Sequence, residues 1–202
     1  MQVKTHHCHV FVYDDGFGEP ILGNDPKLYP LRRYDAQVPY YLPKWNSPVI
    51  DGAPGSISTK DARNLSRPVH GARDLGAIEV FKFNVTTTAP TGGDSLSQAI
   101  TVGNNSPRRV DLVHLDIANA DPLVQTSITI NTLLPPIQIG SVFSAGENVR
   151  LIIPQQGLRH FKIEQSAVAG FDNIIFEGGL ITTDGGGSLK VDGRCYLHDC
   201  VF

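Results

Sequence analysis

The side chains best suited to chemistry sit near the two termini. One cluster is His6-His7-Cys8-His9, and the other is Cys195-Tyr196-Leu197-His198-Asp199-Cys200. Thiolate and imidazole are the ligands zinc prefers, and four of them make a closed structural site. If a strand over residues 9–13 pairs with the last strand, the clusters meet. Cys8, Cys195, His198 and Cys200 are then the candidate ligands of a structural zinc, the one cofactor considered. The spacing matches no standard zinc module, and neither terminus contains Cys-x-x-Cys. A His-rich terminus with small buried cysteines is the alternative, and a disulfide from Cys8 to Cys195 or Cys200 is a third.

Gly93-Asp94-Ser95-Leu96 spells the signature of an esterase family. A nucleophilic serine needs a histidine base held by an acid. That family's base lies in an Asp-x-x-His near the C-terminus, whereas here Cys195 stands three residues before His198. The motif therefore reads as a turn between strands. Asp184-Gly185-Gly186-Gly187-Ser188 lacks the Lys-Ser/Thr and helix of a phosphate-binding loop, so it reads as a hairpin loop. Asp14-Asp15 reads as a solvated turn. No enzyme is expected from these residues.

The elements that would position such residues divide near residue 75. Of the 202 residues, 41% are hydrophobic and 18% charged, enough apolar material for a real core. The net charge of -3, with no basic run longer than Arg32-Arg33 or Arg108-Arg109, argues against a nucleic-acid partner. The longest apolar runs are too short to span a bilayer, so no membrane partner is expected. No leader-like segment is evident at the N-terminus, and three cysteines do not suggest a secreted disulfide scaffold.

Residues 1–75 carry eight of the fourteen prolines, five of the six tyrosines and the single tryptophan. Prolines this frequent exclude helices and central strands, apart from the strand over 9–13. Residues 17–75 are expected to form an extended arm. Tyr29, Tyr34, Tyr40, Tyr41 and Trp45 are its candidate contact anchors on a partner or neighbouring subunit. The alternative is a long irregular segment folded over its own domain.

From residue 76 to 202, apolar residues alternate with polar ones: Phe81-Phe83-Val85, Val113-Leu115-Ile117, Val124 through Ile130, Val149-Leu151-Ile153, Phe161-Ile163, then Ile174 through Leu180 and Leu189-Val191. A period of two places one row on a core and the other toward solvent. Turn clusters separate the runs, and no helical stripe stands out. The pattern predicts an all-β, jelly-roll-like sandwich of about eight strands.

One stretch is similar to a known family. Gly146, Pro154, Gly157, Arg159-His160-Phe161 and Gly178 through Ile181 fall where the tailed-phage capsid cement (head decoration) proteins place their turns and last strands. Asp74-Leu75-Gly76 resembles the entry to that family's first strand, while His160 departs from its Arg-aromatic pair. The resemblance covers roughly residues 74–184. It implies a jelly roll, a homotrimer and binding to the outside of a shell of major capsid protein. The protein would then sit on the capsid surface of a virion assembled in host cytoplasm. It offers no counterpart for the arm. A carbohydrate- or receptor-binding β-sandwich of a virion tail or fibre is the second reading. It would need solvent-facing aromatics on the sandwich, where the aromatics are mainly Phe.

Overall fold

A computed structural model describes residues 25–34, 39–106, 109–117, 126–146, 149–181 and 185–202. The expected strand over 9–13 and the candidate ligand Cys8 lie outside the described residues.

The period-two runs do form strands, but not a sandwich. They wind into a parallel β-solenoid of about 4 turns. The first coil holds β1 (Lys82–Val85) followed by α1 (Leu96–Asn105). The second holds β2 (Leu112–Leu115) and β3 (Thr126–Thr129). The third holds β4 (Ser141–Ala145), β5 (Val149–Gln156) and β6 (Phe161–Ile163). The fourth holds β7 (Val168–Asp172), β8 (Ile175–Leu180) and β9 (Leu189–Val191), and β10 (Arg194–His198) begins a fifth. Three sheets result, ordered β1-β2-β4-β7-β10, β3-β5-β8 and β6-β9. Single bridges extend the last two sheets, Ile175 to Val201 and Ile137 to Ile163. Every strand pairing is parallel.

The jelly roll is therefore corrected, and the reason is connectivity. A jelly roll pairs strands antiparallel. Here each strand's partner lies one coil on: Leu112 pairs with Val142, Val142 with Gly170, and Val168 with Arg194. A parallel pair needs a long crossover, and the rest of the coil supplies it. Alternation reports which face of a strand is buried and is silent on the partner's direction.

Stacking coils places like residues above one another. The interior row of the first sheet runs Phe83, Val113, Phe143, Phe171 and Leu197. The Phe143 and Phe171 rings stack with centroids 5.4 Å apart, and Phe161 and Phe176 close on Phe171 at 4.7 and 5.6 Å. Each such ring contributes mainly through buried area, with about 0.5–1.5 kcal/mol more from ring geometry.

Helix α1 was not expected from the sequence. Its buried residues are Leu96, Ala99, Ile100 and Gly103, a narrow stripe at helical spacing. Ser95, the expected turn residue of the esterase-like motif, is its N-cap. The Ser95 Oγ accepts from Gln98 N at 3.2 Å and donates to Gly92 O at 2.7 Å. The helix takes the place of strands in the first coil, and Leu96, Ala99 and Ile100 join the solenoid core. Asn104 pins its last turn to the next coil, donating to Pro136 O and accepting from Gln138 N.

The described residues before β1 fold over the chain's own domain, the alternative reading given above. Tyr29, Tyr34, Tyr40 and Leu42 form a second core with Ile78, Val80 and the outward-facing Leu112 and Val142 of the first sheet. Having little regular structure, this segment satisfies its backbone N–H groups with carboxylates. Asp61 accepts from Arg63 N, Leu65 N and Glu79 N. Asp74 accepts from Asp51 N and Val80 N, Glu79 from Val69 N and Asp74 N, and Asp111 from Phe81 N. The guanidinium of Arg63 bridges Asp61 and Asp111, so the segment is tied to the residue preceding β2.

Candidate functional site

On the first sheet alternate side chains face outward, and the parallel register stacks them into rows. One row reads Lys82, Leu112, Val142, Gly170 and Tyr196. The next reads Asn84, His114, Ser144, Asp172 and His198. Nothing in local sequence joins these five polar residues; the coil length does.

From His114 to His198 the polar row makes hydrogen bonds that residues of the segment before β1 complete, while Asn84 donates to Asp116 outside the row. His114 Nδ1 lies 3.1 Å from Ser144 Oγ, and the Trp45 ring stacks on His114 at 4.7 Å. Burial lowers the His114 pKa, which favours the neutral ring. Tyr29 OH donates to Asp172 Oδ2 at 2.9 Å and is also hydrogen-bonded to Ser144. Burial and then the Asp172 charge push the Tyr29 phenol far up, so it stays a donor. Asp172 Oδ1 lies 2.8 Å from His198 Nδ1, and Asp199 Oδ2 reaches the same nitrogen at 3.2 Å. Ser144 and His114 have the types of a nucleophile and a base, but Ser144 is buried beneath Tyr29. The row works as a seam between segment and sheet.

The expected contact anchors belong to that seam and its neighbours. Tyr29, Tyr34 and Tyr40 are buried in the chain's own second core, and Trp45 packs against it. Tyr41 alone of the five is substantially exposed, at 45%. Aromatic enrichment in a proline-rich stretch marked a contact, but the surface contacted is the chain's own first sheet.

The expected zinc ligands do not converge among the described residues. Along β10, Cys195 and Leu197 face the interior while Arg194, Tyr196 and His198 face outward, so Cys195 and His198 lie on opposite faces. Burial, reinforced by Cys200, pushes the Cys195 thiol up to about 11. Burial also raises Cys200, whose Sγ donates to Phe171 O at 3.4 Å. Both act as small core residues rather than thiolate ligands. His198 instead gathers Asp172 and Asp199, the three ligand atoms lying within 4.8 Å of one another.

The feature that sequence reasoning missed is the end of the stack. Among the described residues β10 is the last strand of its sheet, and only β7 pairs with it. Arg194 N donates to Ala167 O and His198 O accepts from Asn173 N. Arg194, Tyr196 and His198 therefore turn their backbone groups toward β7, and Cys195 and Leu197 turn theirs toward the open edge. Leu197 continues the interior row but is 50% exposed, against 1% for Phe171 one coil below. Val201 and Phe202 are exposed in the same coil, and the Phe202 ring stacks on Phe176 at 4.7 Å. A search for a repeat near 28 residues could have exposed the stack.

No protein-family model, curated protein or solved structure matches the chain.

Proposed function

We propose that the protein is a non-catalytic assembly protein that associates end-on, through the open end of its solenoid. One observation carries this reading: large apolar side chains are exposed in the last coil. Among the described residues β10 pairs only with β7, and Leu197, Val201 and Phe202 are exposed there, whereas α1 packs Leu96, Ala99 and Ile100 into the core of the first coil. An exposed strand edge is a template for another chain, and exposed apolar surface around it favours association. The seam over the first sheet supports the same reading, because it spends the polar side chains on rigidity.

The setting remains the one implied by the resemblance, a virion structural protein. The jelly roll that came with that resemblance is replaced, so the trimeric shell-capping geometry is not carried forward. The test is co-sedimentation of the purified protein with virus particles lacking it. Wild-type protein is expected to bind, and Leu197→Asp to bind at least tenfold more weakly with unchanged circular dichroism. Equal binding by both would overturn the end-on reading. No binding by the wild type would overturn the virion setting.

A further inference from the structure

We propose that Asp172, His198 and Asp199 bind one divalent transition-metal ion of the zinc class, and that the ion clips the fifth coil to the fourth. The site goes beyond the end-on reading and does not depend on it.

Three observations lead there. The first is the donor set. Among the described residues, Asp172, His198 and Asp199 are the group of potential ligands whose ligand atoms all lie within 4.8 Å of one another. Zinc accepts an imidazole nitrogen together with carboxylate oxygens. Magnesium and calcium prefer oxygen alone, so the imidazole selects against them. The group shares only His198 with the thiolate set expected from the sequence. Cys195 packs on the interior, and the Cys200 thiol is given to Phe171 O.

The second is the geometry around the ring nitrogen. His198 Nδ1 lies 2.8 Å from Asp172 Oδ1 and 3.2 Å from Asp199 Oδ2. Ligand atoms about 2.0–2.2 Å from a shared ion stand about 3.0–3.5 Å from one another, and both separations fall close to that range. Two carboxylates thus converge on a nitrogen that carries at most one proton. One donor is shared between two acceptors, and at most one positive charge faces two negative ones. A divalent ion in the proton's place meets all three lone pairs and matches both charges. The Nδ1 proton leaves to solvent, and the ring keeps its other proton on Nε2.

The third lies outside the group. Carboxylates that ligate a metal are themselves oriented by a further hydrogen bond. Tyr29 OH donates to Asp172 Oδ2 at 2.9 Å, which leaves Oδ1 turned to His198. Tyr29 is buried in the second core, so this orientation is preset. The parallel register sets Asp172 of β7 beside His198 of β10, and Asp199 follows in sequence. The ion therefore joins two successive coils and, through Tyr29, the segment packed on the first sheet. His198 and Asp199 are largely exposed, which leaves room for water to complete the coordination.

The test uses the full chain carrying His6→Ala, His7→Ala, Cys8→Ala and His9→Ala, which removes the other clustered imidazoles and their neighbouring thiol. Calorimetric titration with zinc chloride is expected to show one ion per chain. Asp199→Asn and His198→Gln change exposed side chains and are each expected to weaken binding at least tenfold. Tyr29→Phe keeps the ring and is expected to weaken it about tenfold by freeing the Asp172 carboxylate. Zinc is expected to slow amide exchange along β10 in this chain and to leave it unchanged once Asp199→Asn is added. Absence of saturable binding overturns the proposal. So does binding that Asp199→Asn and His198→Gln leave intact, and so does uptake of several weakly held ions per chain. Calcium bound in preference to zinc overturns the choice of ion, and zinc binding with unaltered β10 exchange overturns the clip.

Discussion

The two ends of the solenoid enclose the same kind of core and close it differently. At the first coil, α1 presents Leu96, Ala99 and Ile100 to the core and satisfies its own N-terminus through Ser95. At the fifth, Leu197 stands in the Phe171 row half exposed, with no further layer on it among the described residues. A stack of coils has no intrinsic stopping point, because each layer offers the next a matching edge and an apolar floor. In the first coil α1 stands in place of strands, and the backbone groups of its interior bond within the helix and offer no strand edge there. The difference separates an end built for stability from an end available for contact.

The largest effect should fall on the sealed end. Ile100→Ala removes fully buried side-chain volume and should cost about 2–5 kcal/mol in urea unfolding, whereas Leu197→Ala in the monomer should cost about 1 kcal/mol or less. Equal costs would break the comparison. Ser95→Ala should lower stability by about 1 kcal/mol through the lost cap. No loss would mean that α1 is held by packing alone.

A pH series separates the sealed face of the first sheet from the rest. Burial, partly offset by the N–H donors of Asp51 and Val80 and helped by Glu79, pushes the Asp74 carboxyl from 3.8 up to about 6. A value raised on folding means that the folded chain holds the extra proton. Its contribution is complete below the unfolded value and is lost as pH rises through about 6. Asp61 runs the other way. Burial pushes it up, but the Arg63 guanidinium and the N–H groups of Leu65 and Glu79 hold it below its usual range. Its contribution is present above the ordinary carboxylate value and is lost as pH falls through the lowered one. Asp74→Asn should therefore destabilise more at pH 5 than at pH 8, by about 1 kcal/mol after allowance for screening. A pH-independent cost would contradict the buried placement. The smallest effect belongs to the bare outer face of the second sheet. There Arg150 and Glu177 pair at 2.5 Å in solvent, and Glu177→Gln should change stability by under about 0.5 kcal/mol.

Strand positions were largely legible in the sequence because alternation depends only on which face is buried. Val113-Leu115, Val149-Leu151-Ile153 and Phe161-Ile163 read correctly for that reason. The winding was not legible, because Asp172 and His198 are neighbours only through a coil of 26 residues, and no local pattern encodes that. Helix α1 was hidden because Gly103, Thr101 and Val102 dilute its stripe, although Ser95 with Gln98 three residues on is a capping signal. Tyr29, Tyr34, Tyr40 and Trp45 do make contacts, but with the chain's own first sheet rather than a partner, while Tyr41 is exposed. Composition reports that an aromatic side chain wants a partner; only the fold supplies which one. The role of the carboxylates of Asp61, Asp74 and Glu79 has no local sequence signal, since they satisfy backbone groups of a segment that has no ladder of its own.

Amide hydrogen exchange at Cys195 and Leu197, with and without virus particles, tests the end-on reading most directly. The account predicts fast exchange in the free protein and protection on binding, while the Phe171 amide stays protected throughout. Slow exchange at Cys195 and Leu197 in the free protein, equal to that at Phe171, would mean that the β10 edge is not open and would contradict it.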